Sequence, residues 1–162
     1  MPTSDLPLIN VSPGVSARVL AGEAFDTVGP FATVQPVQMV DFEMEAGSNA
    51  CFELSQGLDT AMLYVYEGKL ETNGEPASEG HIVLFDATTD VRRGVEMTTI
   101  EPAKAVLFAG KKLKEPIAWH GPIVMNTQQQ IQETFRELNS GQFPPVRVEW
   151  DYKRLENEPK DA

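Results

Sequence analysis

Ala61-Met62-Leu63-Tyr64-Val65-Tyr66 runs into Glu67-Gly68, then Lys69-Leu70-Glu71-Thr72, then Asn73-Gly74. The first six residues are apolar or aromatic on both parities, which fits a central strand that is covered on both faces or packs one face on a partner. Asn-Gly is the dipeptide that best tolerates the two positive φ angles of a tight hairpin, so the chain is expected to turn back at Asn73-Gly74.

The same grammar extends in both directions. Upstream, Val40, Phe42 and Met44 alternate with Asp41, Glu43 and Glu45. This period of two sends apolar side chains to one face and carboxylates to water, the pattern of a half-buried strand. Downstream, strands are expected at His81 to Asp86, Val95 to Ile100, Ala105 to Ala109 and Val146 to Trp150, punctuated by Gly, Pro, Asp and Asn. Short strands at close intervals point to a sandwich or a barrel.

One stretch follows a different period. Ile131, Phe135 and Leu138 recur at i, i+4 and i+7 with polar residues between them, which predicts a helix over about 128–139. Thr127 and Gln130 have the spacing of a capping box, and Gly141 supplies the left-handed residue that ends a helix. The apolar stripe is expected to pack on the barrel.

A length of 162 residues fits one domain, and 41% hydrophobic with 23% charged residues is a globular composition. The balance of 13 basic against 24 acidic side chains, −11 in all, disfavours direct binding to nucleic acid or anionic lipid. Lys111, Lys112 and Lys114 are the local exception; a solvated turn accounts for them, and they are assigned no function. Cys51 is the single cysteine, which excludes an intramolecular disulfide and fits a reducing compartment. With no basic-then-apolar leader and no apolar run near the ~18 residues of a membrane span, the chain reads as soluble and cytoplasmic, with no membrane partner.

Signatures of common chemistry are sparse. No Gly-rich phosphate loop, HExxH or G-x-S-x-G occurs. A metal site with two imidazoles would use both histidines, His81 and His120, each of which also fits a structural role. Glu43 and Glu45 share a strand face, but the solvent face. Cys51 reads as a small buried side chain, since a reactive thiol needs an electropositive neighbourhood that its flanks do not supply.

The segment Leu107-Phe108-Ala109-Gly110-Lys111-Lys112-Leu113-Lys114-Glu115-Pro116-Ile117, continuing through Gly121-Pro122-Ile123-Val124-Met125-Asn126-Thr127, resembles the signature of the pirin family's C-terminal domain. It departs with Lys112 where proline is usual and Ile123 where phenylalanine is usual. Arg18-Val19-Leu20-Ala21-Gly22-Glu23 is similar to the stretch where pirin-like chains enter their second barrel, so the resemblance runs from about Ala17 to Phe143.

The resemblance implies an all-β fold: a cupin-type double-stranded β-helix, or jelly-roll barrel, with one C-terminal α-helix. It divides the chain into an N-terminal arm over 1–16, a cupin domain over 17–150 and a charged tail over 151–162. Pirin-like proteins carry two cupins, and their metal-binding His/Glu cluster belongs to the first. A cupin metal motif imposed from Gly47 places Glu53 and Ser55 at the two histidine positions and Thr60 or Ala61 at the glutamate position. A second, counted from Gly80, reaches Val91 where a histidine belongs. No catalytic, metal or cofactor-binding residue is therefore assigned, and no cofactor.

Family roles include metal-dependent dioxygenase activity on flavonols such as quercetin, and binding to transcription or metabolic proteins. The expectation for this chain is a non-catalytic pirin-like domain working through protein contacts, as a homodimer or with a partner protein, with room for a small ligand in the barrel. Leu6, Leu8, Ile9 and Val11 of the arm are placed to reach across a dimer contact or to cover a bare patch in cis. The alternative is one half of a quercetin 2,3-dioxygenase-like enzyme whose metal-bearing barrel lies elsewhere.

Overall fold

In a computed structural model, which describes residues 6–85 and 94–143, the chain divides into two units, Met1–Leu113 and Lys114–Ala162. The alternation at Val40 to Met44 becomes β5 (Val37–Met44), with Val40 and Phe42 fully buried. It lies between β2 (Val15–Ala21) and β11 (Ala103–Gly110), both antiparallel to it. Beyond β2 lies β1 (Ile9–Ser12), and beyond β11 lies β7 (Thr60–Thr72).

Residues 9–16 are thus not a separate arm. They form β1, the Pro13-Gly14 turn and the start of β2, because Ile9 and Val11 have apolar surface to bury against the core. Leu6 is buried as well, while Leu8 is exposed.

β7 carries most of the architecture. Its first half pairs with β11 on one side and β9 (Ile82–Phe85) on the other; its second half pairs with β8 (Glu75–Ser78) and β10 (Val95–Thr98). A break in register opposite Lys104 and Ala105 leaves Tyr66 as the extra residue of a β-bulge, and the inward parity changes there. Ala61, Leu63 and Val65 are buried before it, Leu70 and Thr72 after it. Gly68 follows at φ 72, where an added Cβ would lie 2.1 Å from the Pro102 carbonyl oxygen. Only glycine allows the strand to bend so close to its neighbour.

The apolar run at Ala61 to Tyr66 is therefore central in the sheet but covered on one face only. Tyr64 is 38% exposed, and beside it on β9 Ile82 is 59% and Leu84 74% exposed. The hairpin expected at Asn73-Gly74 is present as the β7–β8 turn, with φ 48 and 85. β6 (Asn49–Phe52) pairs with β10 at the end of the path, and Ser12 Oγ donates to the Asn49 carbonyl at 2.9 Å, drawing β1 towards it. The result is a nearly closed cupin barrel.

The barrel interior is filled by side chains. Phe42, Leu63, Met97, Leu107, Val40 and Val65 are the largest of those fully buried, and each contributes about 1.5–3 kcal/mol relative to exposure. Small residues on β7 and β11, Ala61, Ala103, Ala105 and Ala109, leave volume for them.

In the second unit, β12 (Ala118–His120) and β13 (Ile123–Met125) form a hairpin, followed by α1 (Gln128–Ser140). The capping box is formed: Gln130 N–H donates to Thr127 Oγ1 at 3.2 Å, and Thr127 N–H to Gln130 Oε1 at 3.0 Å. Gly141 ends the helix at φ 72. The stripe is graded, with Ile131 buried, Phe135 half-buried and Leu138 43% exposed. Among the described residues no helix is long and apolar enough to cross a membrane. The strand expected at Val146 to Trp150, Val91 and the 151–162 tail lie outside the described residues.

Candidate functional site

Two places in the first unit combine shape with polar chemistry. On the outer sheet face, Asp41 of β5 and Arg18 of β2 are register partners, with Nη1 3.8 Å from Oδ2. The Arg18 guanidinium also donates to Glu43, one pleat along. Tyr66 Oη donates to Asp41 Oδ1 at 2.8 Å, and Lys104 Nζ lies 2.9 Å from Glu67.

Burial raises the Asp41 carboxyl above its ordinary value, against the opposing effects of the Tyr66 hydrogen bond and the Arg18 charge. Burial and Asp41 raise the Tyr66 phenol, so it remains a donor. Glu43 is therefore half-buried and ion-paired rather than simply solvated; Glu45, just past the strand end, is exposed. The partners lie 23 to 37 residues apart in sequence, so no local pattern announces them.

The second place is a cleft of about 450 Å³ between β6 and the hairpin of β3 (Glu23–Ala24) and β4 (Thr27–Val28). The hairpin turns on Phe25 and Asp26, both at positive φ, 51 and 56. Phenylalanine is a rare choice for this conformation. Its ring meets Phe52 edge-on with centroids 5.5 Å apart, and Phe42 at 6.3 Å, while Phe42 and Phe52 are 5.7 Å apart. Gln38, 4% exposed, fixes the floor: its Nε2 donates to the Glu23 carbonyl at 2.6 Å, and its Oε1 accepts from the Ser55 backbone N–H at 2.9 Å. Neither Phe25 nor Gln38 stands out in the sequence, because Phe-Asp is no turn signal and Gln38 precedes the alternating run.

The positions reached by counting out a cupin metal motif do not converge. Glu53 and Ser55 are exposed, whereas Phe52 and Leu54, of the other parity, face the packed interior. Thr60 is half-buried, and Ala61, which does point inward, has no donor atom. Among the described residues no histidine and no carboxylate is fully buried, and no three His, Cys, Asp or Glu side chains cluster as metal ligands. A divalent transition metal needs several imidazole or carboxylate donors converging on one point, so the described residues of the barrel do not fit one.

The two histidines lie in different units. His81 is exposed in the turn before β9, which starts at Ile82, and its Nδ1 accepts from the Ser78 N–H at 3.3 Å. His120 packs its ring edge-on against Phe135, with centroids 5.1 Å apart. Cys51 is exposed, not buried as its sequence context suggests. Partial desolvation, then the charges of Glu96 and Glu53, push its thiol up, which disfavours the nucleophilic thiolate. Lys111, Lys112 and Lys114 are all exposed, and the Lys112 backbone N–H donates to Asp59 Oδ1 at 2.7 Å.

Residues 39–144 match the family described as the Pirin C-terminal cupin domain. A pirin-like protein of Caulobacter vibrioides is 30% identical over 147 residues, covering 87% of this chain and 50% of that protein. Pirin of Mus musculus is 28% identical over 133 residues, covering 79% of this chain and 46% of its own length. Among solved structures, a quercetin 2,3-dioxygenase from Acinetobacter baumannii superposes with a TM-score of 0.79 at 27% identity, over 89% of this chain and 49% of that one. The chain spans about half the length of these relatives.

Proposed function

Because the chain belongs to the pirin family through its C-terminal cupin domain, we propose that it is a non-catalytic member that works through protein contacts, including contacts with its own copy. The observation that supports this reading is the barrel interior, which among the described residues is packed with apolar side chains such as Phe42, Leu63 and Leu107 and brings no three metal-ligating side chains together. The exposed row of Tyr64, Ile82 and Leu84 supports the second half, since contiguous apolar surface on a soluble protein tends to mark an interaction site. A small ligand, expected from the sequence in the barrel, we place instead in the β3–β4 cleft, because side chains pack the barrel interior.

Elemental analysis of the purified chain together with a quercetin turnover assay tests the reading. The expected result is no stoichiometric iron, nickel or copper and no turnover. About one equivalent of metal per chain, or turnover by the chain alone, overturns it.

The second reading, a half of a quercetin dioxygenase-like enzyme, rests on the likeness to the Acinetobacter baumannii enzyme over half of that chain. Turnover that appears only when the chain is mixed with a metal-bearing cupin half favours it over the first.

A further inference from the structure

We propose that the cleft between the β3–β4 hairpin and β6 is a binding site for a small aromatic cation. This rests on the reading of the chain as a binding rather than a catalytic domain, and it names a ligand class for it.

Three independent observations converge. The first is the backbone. Phe25 and Asp26 form a two-residue connection with both φ angles positive, a conformation that glycine and asparagine fill without strain and phenylalanine does not. Its neighbours hold it there: Gly29 N–H donates to the Gly22 carbonyl at 2.8 Å, and Phe31 N–H to the Leu20 carbonyl at 3.1 Å, clamping the base of the hairpin. Side chains retained in such conformations cluster where a group must be held in position for a ligand.

The second is the lining. The half-buried Phe25 ring, backed by the buried Phe52, and the half-buried Leu54 give the cleft its apolar side, and about 450 Å³ has room for a bicyclic ring. The Gln38 amide, tethered at both ends, adds a polar group that cannot swing away.

The third is charge. Glu23 and Glu53 line the same cleft, and no described lysine or arginine does. Carboxylates lining the same cleft as an aromatic ring favour a cation over a neutral or anionic ligand.

The test uses the full chain, labelled with ¹⁵N, and two probes that share a ring and differ in charge, tryptamine and indole-3-acetate. Tryptamine is expected to give saturable shifts at the Gln38 side-chain amide and the Ser55 backbone amide, with indole-3-acetate about tenfold weaker or more. Replacing both rim carboxylates, Glu23→Gln with Glu53→Gln, should abolish the discrimination. Phe25→Gly relieves the left-handed turn but gives up the ring contacts with Phe42 and Phe52; with native amide dispersion retained it should lose about tenfold in tryptamine affinity, and the double carboxylate variant, which leaves the core intact, tests the site independently of folding. Absence of saturable shifts, equal binding of the two probes, or undiminished binding by Phe25→Gly each overturns the site. Stoichiometric metal or quercetin turnover would instead overturn the non-catalytic reading, so the two failures are told apart by different measurements.

Discussion

Tyr66 and Asp41 are joined by a 2.8 Å hydrogen bond although their strands, β7 and β5, are not neighbours: β11 lies between them, and the bond passes over it. The bulge that leaves Tyr66 unpaired gives the phenol this reach. Burial raises the Asp41 carboxyl while the Tyr66 bond opposes the rise, so Tyr66→Phe should move its titration further up. An acid whose folded value exceeds its unfolded value binds protons more readily when folded. Its contribution therefore favours folding at low pH and is lost as pH rises from the unfolded value through the folded one. Carbon-detected NMR titration of Asp41 in both proteins checks this, and an unchanged or lowered value in Tyr66→Phe contradicts it. The variant should also lose about 1 kcal/mol of stability near neutral pH, one hydrogen bond to a half-exposed carboxylate.

Gly68 and Gly74 lie in the same strand region at positive φ, 72 and 85, yet their surroundings differ. A Cβ at Gly68 would meet the Pro102 carbonyl at 2.1 Å, and one at Gly74 would meet nothing within 4 Å. Gly68→Ala should cost about 2 kcal/mol more than Gly74→Ala, whose penalty is the ~1–2 kcal/mol of the left-handed backbone alone. Urea denaturation of the two variants decides it; equal midpoints would mean that β7 does not bend closely past β11.

The helical stripe should lose stability in the order of its burial. Ile131→Ala is expected to cost about 3 kcal/mol, Phe135→Ala about 2, and Leu138→Ala less than about 0.5. Ile131 is 3% and Leu138 43% exposed, and Phe135 keeps an edge-on contact with His120. Denaturation midpoints would contradict the grading if Leu138→Ala cost as much as Ile131→Ala.

Self-association should depend on the outer sheet face. Light scattering at micromolar concentration is expected to give twice the chain mass, and Leu84→Lys, at a position 74% exposed, should return it to one. A native chain that scatters as a clean monomer rules this out. Deleting residues 1–11 should act differently, lowering stability, because Ile9 and Asn10 are paired with Ala17 and Ser16 of the same chain.

Much of the fold was readable because short-range rules govern it. Alternation gave β5, Asn73-Gly74 the β7–β8 turn, and Thr127 with Gln130 and Gly141 the two ends of α1. What escaped depends on contacts distant in sequence. Glu43 looks like a solvated carboxylate until Arg18 is brought beside it. Residues 9–12 look like a tail until they find β2. The run at Ala61 to Tyr66 looks buried on both sides because hydrophobicity records that a face prefers to be covered, not that anything in the chain covers it. Counting out a metal motif ignores parity, and one residue of offset exchanges Glu53 for Phe52 at the interior.

Because β7 hydrogen-bonds to four other strands and contributes side chains to the interior on both sides of its bulge, neither half of the barrel has a boundary at which it could open alone. Fluctuations that expose its central amides must dismantle both halves together. Amide protons of Leu63 and Val65 should accordingly exchange with solvent only through global unfolding, at one shared free energy, while those of the two-residue strands of the β3–β4 hairpin exchange through local opening at much lower cost. The barrel is accordingly expected to open as a single cooperative body.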